Sequence, residues 1–387
     1  MEYFLDELFD LQMGKTPARN NLEYWNSQDH KWISIGDLSK CGKYISETKE
    51  FLSEKAIQES GISLIPANTV VMSFKLSIGK TAITTEPMYS NEAIMSFRDK
   101  NVIDLIPDYI YYLFSGKDWD AGTNKAVMGK TLNKATLSKI KIKVHCYSDQ
   151  EKIVKILDEV AHVINKRKQQ IQQLDELVKA RFVEMFGDIK TGEYKFETKK
   201  LGEVSDVGSS HRVFTTEFVE EGVPFYRGTE IGELANGIKP EKPYRITKEH
   251  YDRLASDETK PKIGDLLMPS ICNKGQVWMV DTEDPFYYKD GRVLCISPNR
   301  KLFNCKYLEQ FMREKTLVEY PKLGSGSTFA EFKIFLLKDI DVLIPPVELQ
   351  NEFATFVEQI DKSKVVVQKA LDEAQTLFDS LMQEYFG

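Results

Sequence analysis

The chain has 387 residues, of which 42% are apolar and 29% are charged, and its net charge is −7. This length predicts two or three folded domains, and the apolar content excludes wholesale disorder. The negative charge excludes a uniformly basic nucleic-acid-binding protein but allows local basic surfaces. Apolar runs stay below the roughly 18 residues of a membrane span. Five scattered cysteines without a Cys-x-x-Cys pair predict reduced thiols and a cytoplasmic protein.

Residues 1–148 predict a small mixed α/β domain. Short runs of β-branched and aromatic residues, such as 32–35, alternate with Gly and Pro. Near the end of this segment, residues 139–144 alternate Lys with Ile and Val. That alternation is typical of a half-buried strand whose outer face carries the lysines.

Residues 149–187 predict a long spacer helix. From position 153 to position 185, residues spaced alternately four and three positions apart are apolar, except for Arg167 and Arg181. Such spacing over more than four heptads is typical of a coiled-coil seam. Residues 148–151 predict a capping box at the helix start, and Gly187 predicts its end. The predicted seam residues are Ile153, Leu157, Val160, Ile164, Ile171, Leu174 and Val178.

The second half repeats this plan, with a mixed α/β domain at residues 188–348 and a long spacer helix at residues 349–387. Residues 137–187 align without a gap on residues 337–387, and both segments end in Phe-Gly. The repeated helices with diverged globular halves favour a fixed spacer that carries two different readers. An apolar seam cannot face water alone, so we expect the two helices to pack on each other. The second seam comprises Val357, Ile360, Val367, Leu371, Phe378 and Leu381.

The sequence carries no recognisable catalytic or metal-binding motif. Gly-Lys-Thr occurs at 14–16, 79–81 and 129–131, but the glycine that a P-loop needs five residues earlier is absent each time. The five histidines are scattered and form no metal-ligand spacing. We therefore expect a binding protein that holds no metal ion of its own.

Loops rich in Gly, Asn, Thr, Ser and Lys recur at equivalent places in the two halves. Loops 122–134 and 324–328 precede the strand before each long helix, and loops 14–20 and 208–212 follow the first strand of each half. Such side chains on a glycine-containing backbone suit phosphate and base-edge contacts, although an exposed turn is the alternative interpretation. The candidate DNA-binding residues are Lys15, Thr16, Arg19, Lys80, Asn124, Lys125, Lys130, Thr131, Asn133, His211, Arg212, Arg227, Asn273, Lys274, Ser325, Ser327 and Thr328.

The layout of the whole chain resembles the specificity subunits of type I restriction–modification systems. The resemblance rests on the duplicated plan and on segments 14–17, 32–38, 264–267 and 345–350, the last reading Pro-Pro-Val-Glu-Leu-Gln. It implies two target-recognition domains, each reading one half of a bipartite, gapped site in double-stranded DNA. It also implies that the two long helices lie antiparallel and set the gap between the half-sites.

The resemblance further implies a non-catalytic subunit that works with protein partners. Two modification subunits, which are adenine methyltransferases, would dock around the helices, and restriction subunits could join for ATP-dependent cleavage. S-adenosylmethionine, ATP and Mg²⁺ would then be bound by those partners. Three alternatives stay open: a coiled-coil scaffold that binds only proteins, the recognition subunit of a multi-subunit type II restriction enzyme, and an enzyme with an unrecognised site.

Overall fold

The computed structural model describes residues 1–75, 77–119, 132–255, 259–324 and 330–387. Two compact units result: Met1–Gln169 with Gln368–Gly387 form unit 1, and Gln170–Val367 form unit 2. Each unit contains one mixed α/β globular part and a segment of each long helix. The sequence predicts four consecutive segments. The contacts instead divide the chain into two units, each of which includes part of both long helices.

Unit 1 begins with short strands and helices. Its helices within the globular part are α1 (Leu5–Leu8), α2 (Ile35–Leu38), α3 (Glu54–Ser60), α4 (Pro107–Gly116) and α5 (Lys134–Ser138). Its strands are β1 (Glu2–Phe4), β2 (Phe9–Met13), β3 (His30–Ile33), β4 (Tyr44–Ile45), β5 (Glu50–Leu52), β6 (Val70–Ser73), β7 (Thr81–Thr84), β8 (Tyr89–Ser90), β9 (Ile94–Asp99) and β10 (Lys141–Lys143). A 3-10 turn spans Leu22–Tyr24, and the long helix α6 (Tyr147–Phe186) follows β10.

The largest sheet of unit 1 has the strand order β2-β9-β6-β7-β4, antiparallel except for the parallel β7–β4 pair. A second sheet has the order β5-β3-β8, and β1 pairs with β10. Phe9, Phe97 and Phe114 meet edge to face in the core, with ring centroids 4.7–6.2 Å apart. In β10, Ile142 is buried between exposed Lys141 and Lys143, which confirms the predicted half-buried strand.

Unit 2 contains a second set of short elements. Its helices within the globular part are α7 (Leu201–Val204), α8 (Gly228–Ala235), α9 (Lys248–Leu254), α10 (Cys305–Glu319) and α11 (Ile334–Lys338). Its strands are β11 (Gly187–Asp188), β12 (Glu193–Tyr194), β13 (Thr198–Lys200), β14 (Ser205–Gly208), β15 (Val223–Tyr226), β16 (Tyr244–Ile246), β17 (Leu266–Pro269), β18 (Trp278–Met279), β19 (Tyr287–Tyr288), β20 (Val293–Pro298) and β21 (Asp341–Leu343). Two 3-10 turns span Thr215–Glu217 and Tyr320–Leu323, and the long helix α12 (Val347–Phe386) follows β21.

The two globular parts share one topology. The sheet β14-β20-β17-β18 repeats β2-β9-β6-β7, the sheet β16-β15-β19 repeats β5-β3-β8, and the pair β13–β21 repeats β1–β10. Unit 1 adds β4 at its sheet edge, and unit 2 adds the β11–β12 pair. The mixed α/β tandem repeat predicted from the sequence is confirmed.

The long helices α6 and α12 each have 40 residues, or about 60 Å at 1.5 Å per residue. Each begins two residues before its predicted start, so Ser148 lies inside α6 and the predicted capping box at Ser148 is wrong. Each ends at a Phe followed by Gly, as predicted. Gly187 has a φ of +101°, and a Cβ there would collide with the carbonyl oxygen of Glu193, so only glycine fits this turn.

The predicted seam residues face inward on both helices. Ile153 and Leu157 are buried in the core of unit 1, against which Phe378 and Leu381 pack. The other predicted seam residues are buried or half-buried as well: Val160, Ile164, Ile171, Leu174, Val178, Val357, Ile360, Val367 and Leu371. The 4-3 spacing therefore identified the buried stripe along each helix.

The helix segments run antiparallel within unit 2. Lys364 pairs with Asp175, and Arg181 Nη2 lies 2.7 Å from Glu352 Oε1, so later residues of α6 meet earlier residues of α12. Lys364 occupies a polar position that interrupts the apolar seam of α12, as Arg167 and Arg181 do in α6. The Asp175 side chain is 51% exposed, so the ion pair lies at the edge of the seam, where a charge pair between helices favours one register.

We expect Leu157→Ala to lower the free energy of unfolding by about 2–5 kcal/mol, because the leucine is fully buried and its loss leaves a cavity. The matched control is Leu177→Ala on the same helix, where 47% of the residue is exposed and the change should stay within about 0.5 kcal/mol. Urea unfolding followed by circular dichroism measures both. Equal losses for the two variants would contradict the assignment of the seam.

Candidate nucleic-acid interface

Loops of unit 1 meet at one rim of its globular part. The main-chain N–H of Lys15, after β2, donates to the carbonyl oxygen of Ser90 at 2.8 Å. Phe74, after β6, donates to Ala93 at 3.0 Å and accepts from Leu132 at 3.1 Å. Leu132 is the first described residue after segment 120–131. The loops after β2, β6 and β8 thus converge beside residue 132, and we call this region the unit 1 rim.

Unit 2 builds an equivalent rim from the corresponding loops. Ser270, after β17, donates to the carbonyl oxygen of Arg292 at 2.9 Å and accepts from the N–H of Phe332 at 2.7 Å. Phe74, the equivalent residue of unit 1, makes the same two main-chain bonds with Ala93 and Leu132. The side-chain hydroxyl oxygen of Ser209, after β14, accepts from the N–H of Gly291 at 2.8 Å. We call this region the unit 2 rim. The two bonds made by Ser270 join main-chain groups, so they do not depend on which side chains the rim carries.

Arg19, a predicted DNA contact, is half exposed and makes several contacts within unit 1. Its guanidinium carbon lies 3.8 Å from the ring centroid of Trp25 and 4.7 Å from that of Trp32. The same group forms an ion pair with Glu50. Stacking and ion pairing hold the guanidinium in a fixed orientation. Arg19 thus stabilises the segment after β2, and a DNA contact at this residue stays a prediction.

The other predicted residues of the unit 1 rim differ in their surroundings. The Lys15 ammonium donates to the carbonyl oxygen of Ser60. The Thr16 hydroxyl donates to Glu92 and holds the pKa of that carboxyl below its usual range. Lys80 is exposed between β6 and β7.

Asn133 has a structural task at the start of α5. Its side-chain oxygen accepts from the N–H of Thr136 at 2.8 Å, and its own N–H donates to the Thr136 hydroxyl at 3.0 Å. This capping box satisfies main-chain donors at the helix start. Asn133 therefore fixes α5 beside the unit 1 rim, and base contact by its side chain stays a prediction.

In the unit 2 rim, Arg212 is an exposed predicted cation. Its side chain is 69% exposed, with Nε 3.7 Å from Asp290 Oδ2 and the guanidinium 5.6 Å from the Phe214 ring. His211 beside it is exposed, and its main-chain N–H donates to the Tyr287 hydroxyl at 3.0 Å. An exposed cation next to an exposed aromatic ring can contact both a phosphate and a base face.

Arg227, Asn273 and Lys274 lie on two further elements of unit 2. Arg227 precedes α8, pairs with Glu230 at 2.6 Å and lies 4.5 Å from the Tyr244 ring. Asn273 and Lys274 are exposed in the loop that follows β17. The remaining predicted contacts lie outside the described residues: Asn124, Lys125, Lys130, Thr131, Ser325, Ser327 and Thr328.

Arg292 is a rim residue that sequence reasoning missed. Its side chain is 61% exposed, and Nη1 lies 2.6 Å from Glu331 Oε2. In the sequence, Arg292 follows Gly291 in a segment that reads as an ordinary turn, so nothing marks this arginine as a binding residue. Only the bond from Ser270 to its carbonyl oxygen places it at the rim.

The rims offer cations, amides and hydroxyls, which suit binding to phosphates and bases. Among the described residues, no group of three or more His, Cys, Asp or Glu side chains could hold a metal ion. All five cysteines are free, and burial raises the pKa of Cys272 to about 11 and that of Cys295 to about 12, so both are neutral thiols at pH 7. None of the helices described by the structure combines the length and apolar character of a bilayer span.

Known proteins are similar to this chain over nearly its whole length. A family model described as the type I restriction modification DNA specificity domain matches residues 1–175 and 193–374. The type I restriction enzyme MjaIX specificity subunit of Methanocaldococcus jannaschii is 23% identical over 401 residues, which cover 98% of this chain and 90% of that protein. The EcoprrI specificity subunit of Escherichia coli is 24% identical over 42% of this chain and 41% of its own length.

Two solved structures share the fold. The S subunit of a type I restriction–modification system from M. genitalium superposes with a TM-score of 0.58 at 12% identity, covering 100% of this chain and 96% of that one. A chain from a study of complex assembly and conformational transition in the type I R-M system gives 0.58 at 15% identity, covering 100% and 97%. The duplicated plan with two long helices is thus a known architecture.

We expect Thr16→Val to raise the pKa of the Glu92 carboxyl, because the hydroxyl that stabilises the carboxylate is lost. A lowered folded-state pKa contributes stability above the unfolded-state pKa and loses it as the pH falls. The variant should therefore be destabilised near pH 7 and match the wild type in acid. NMR titration of Glu92 is the direct measurement. Thr48→Val is the control, since the Thr48 hydroxyl donates to the main-chain oxygen of Glu50 and not to a carboxylate. If Thr48→Val shifted the pKa of Glu92 as much as Thr16→Val does, the assignment of the low Glu92 pKa to Thr16 would be refuted.

Proposed function

Because the chain belongs to the type I restriction modification DNA specificity family, we propose that it recognises a bipartite, gapped site in double-stranded DNA. The family is that of the DNA recognition subunit rather than of an enzyme. One observation carries the proposal: each unit has a rim with the same main-chain frame and different side chains. Two readers of unlike half-sites require such a design.

The side chains of the two rims support a division of labour. The unit 1 rim presents Lys15 and Lys80, whose ammonium groups suit phosphates. The unit 2 rim presents Arg212 and Arg292, whose guanidinium groups can also bind guanine in a bidentate manner. We therefore assign one half-site to each unit.

The long helices support a fixed distance between the half-sites. Each is about 60 Å long, which exceeds the 34–36 Å of one DNA turn. A stretch of unread base pairs between the half-sites follows from that length. The gap is a property of the helices, whereas the half-site sequences are properties of the rims.

The partners in this proposal are two adenine methyltransferase subunits, joined in some assemblies by restriction subunits. Those partners would bind S-adenosylmethionine, ATP and Mg²⁺. With a net charge of −7, the isolated chain should bind DNA weakly, because phosphate contacts dominate affinity. A protein-only scaffold would lose no function when rim cations are removed, and a type II assembly would differ in its partners.

We expect Arg212→Ala and Lys80→Ala to act on different half-sites. In the complex with methyltransferase subunits, Arg212→Ala should lower discrimination by about 1–3 kcal/mol at one half-site if it contacts a base. Lys80→Ala should weaken binding at the other half-site and reduce its salt dependence. Long-read sequencing of methylated adenine reads both half-sites, and each variant is the control for the other. A change in both half-sites from either variant would refute the division of labour.

Removing one heptad from each helix, residues 166–172 and 367–373, should shorten the gap by about three base pairs. Seven helical residues span about 10.5 Å, and each base pair of DNA adds about 3.4 Å. The deletion preserves the 4-3 phase of both seams. Deletion from α6 alone is the control, which should abolish methylation because the seams no longer match. An unchanged gap in the double deletion would reject the role of the helices as spacers.

A further inference from the structure

Two buried glutamines make the same three hydrogen bonds in the two units. Gln150 lies in the first turn of α6, and Gln350 lies in the first turn of α12, each with at most 1% of its surface exposed. The sequence comparison placed them at equivalent positions, 200 residues apart. A buried amide with all its partners satisfied is a geometric constraint, because breaking any bond leaves a buried polar group unpaired.

Gln150 joins α6 to the loop before α4. Its Oε1 accepts from the N–H of Ile106 at 3.0 Å. Its Nε2 donates to the carbonyl oxygens of Asp104 and His145, both at 3.1 Å. One side chain thus ties the start of the long helix to Ile106, the residue at the N-cap position of α4.

Gln350 joins α12 to the loop before α10 in the same way. Its Oε1 accepts from the N–H of Asn304 at 2.9 Å. Its Nε2 donates to the carbonyl oxygens of Leu302 at 2.9 Å and Pro345 at 2.8 Å. Asn304 occupies the N-cap position of α10 as Ile106 occupies that of α4, so the bonds of the two glutamines correspond one for one.

Every partner of the two glutamines is a main-chain group. The neighbouring side chains can therefore differ between the units without disturbing the bonds. An uncharged amide supplies one acceptor and two donors, which is what one N–H and two carbonyl oxygens require. A glutamate of the same length would place a carboxylate against two carbonyl oxygens.

In unit 1, an ion-pair network fixes α6 at a second point, eight residues beyond Gln150. The ammonium of Lys43, before β4, lies 2.6 Å from Asp108 Oδ1 of α4 and 2.6 Å from Asp158 Oδ1 of α6. The Tyr112 hydroxyl donates to the same Asp158 oxygen at 2.5 Å. Two points of attachment define the direction of a rod, whereas one point allows it to pivot.

Unit 2 fixes α12 at a second point with other residues. Lys306 of α10 lies 3.0 Å from Glu309 Oε2 and 3.0 Å from Asp361 Oδ2 of α12. Of these two attachments of each long helix, the glutamine bonds repeat between the units, while the ion pairs use different residues at different positions. The glutamine is therefore the common part of the attachment.

We propose that Gln150 and Gln350 are positioning residues that fix the direction in which each long helix leaves its own globular part, and thereby restrict the protein to one gap length. The inference rests on the proposed recognition of a gapped site. It adds which residues determine how far the gap length can vary before the protein no longer recognises the site. Neither glutamine contacts DNA in this assignment. Their loss relaxes the gap and leaves the half-site sequences unchanged.

The test uses the full chain assembled with its methyltransferase subunits and a DNA library. Both half-sites are held constant while the gap varies from two base pairs shorter to two longer, and adenine methylation is scored for each gap. We expect Gln150→Met to raise methylation at neighbouring gaps, relative to the native gap, roughly tenfold, the factor that corresponds to about 1.4 kcal/mol. Gln350→Met should do the same. Gln173→Met, an exposed change on α6, is the matched control and should behave as the wild type.

Thermal unfolding of each assembled variant separates positioning from folding. If Gln150→Met does not assemble, Gln150→Asn replaces it, because it keeps the amide but withdraws it by one methylene group. A folded variant with an unchanged ratio between gaps, or with an equal loss at every gap, overturns the inference alone. A wild-type complex that methylates no gapped motif refutes the proposed function and the inference with it.

Discussion

The burial of an apolar stripe along two 40-residue helices is the constraint on which the rest of this structure depends. Neither stripe is covered by residues of its own half of the chain alone. In unit 1, Phe378 and Leu381 pack against the core that holds Ile153 and Leu157. In unit 2, Val178 shares a core with Val357 and Ile360. Each compact unit therefore needs residues from both halves of the chain, and the helices cannot be exchanged independently of the globular parts on which they pack.

In the globular parts, main-chain hydrogen bonds form the geometry that the two units share, and the side chains differ between the units. Ser270 and Phe74 make the same two main-chain bonds although their side chains have nothing in common. Main-chain groups are present at every residue, so a frame built from them survives extensive sequence divergence. Variation is thereby confined to the exposed side chains of the rims, such as Arg212, where a change of ligand preference leaves the fold intact.

The helices and the repeat could be predicted from the sequence because their signals are local and periodic. The seam repeats every seven residues, and Gly187 stands where the helix must end. The bonds of Gln150 could not be predicted, because its partners at residues 104 and 106 lie more than 40 positions upstream. The stacking of Arg19 on Trp25 and Trp32 was invisible for the same reason, since only the tertiary fold brings those rings under the guanidinium.

The wide separation of the seam partners has a consequence for biosynthesis. Val178 and Val357 share one core, but 178 residues lie between them. At roughly 5–20 residues per second, a ribosome needs on the order of ten to forty seconds to make that intervening chain. During this interval the first helix has left the ribosome without the segment that covers it. Nascent chains in one polysome can then pair their helices with each other, so the yield of correctly paired protein depends on how densely ribosomes load the message.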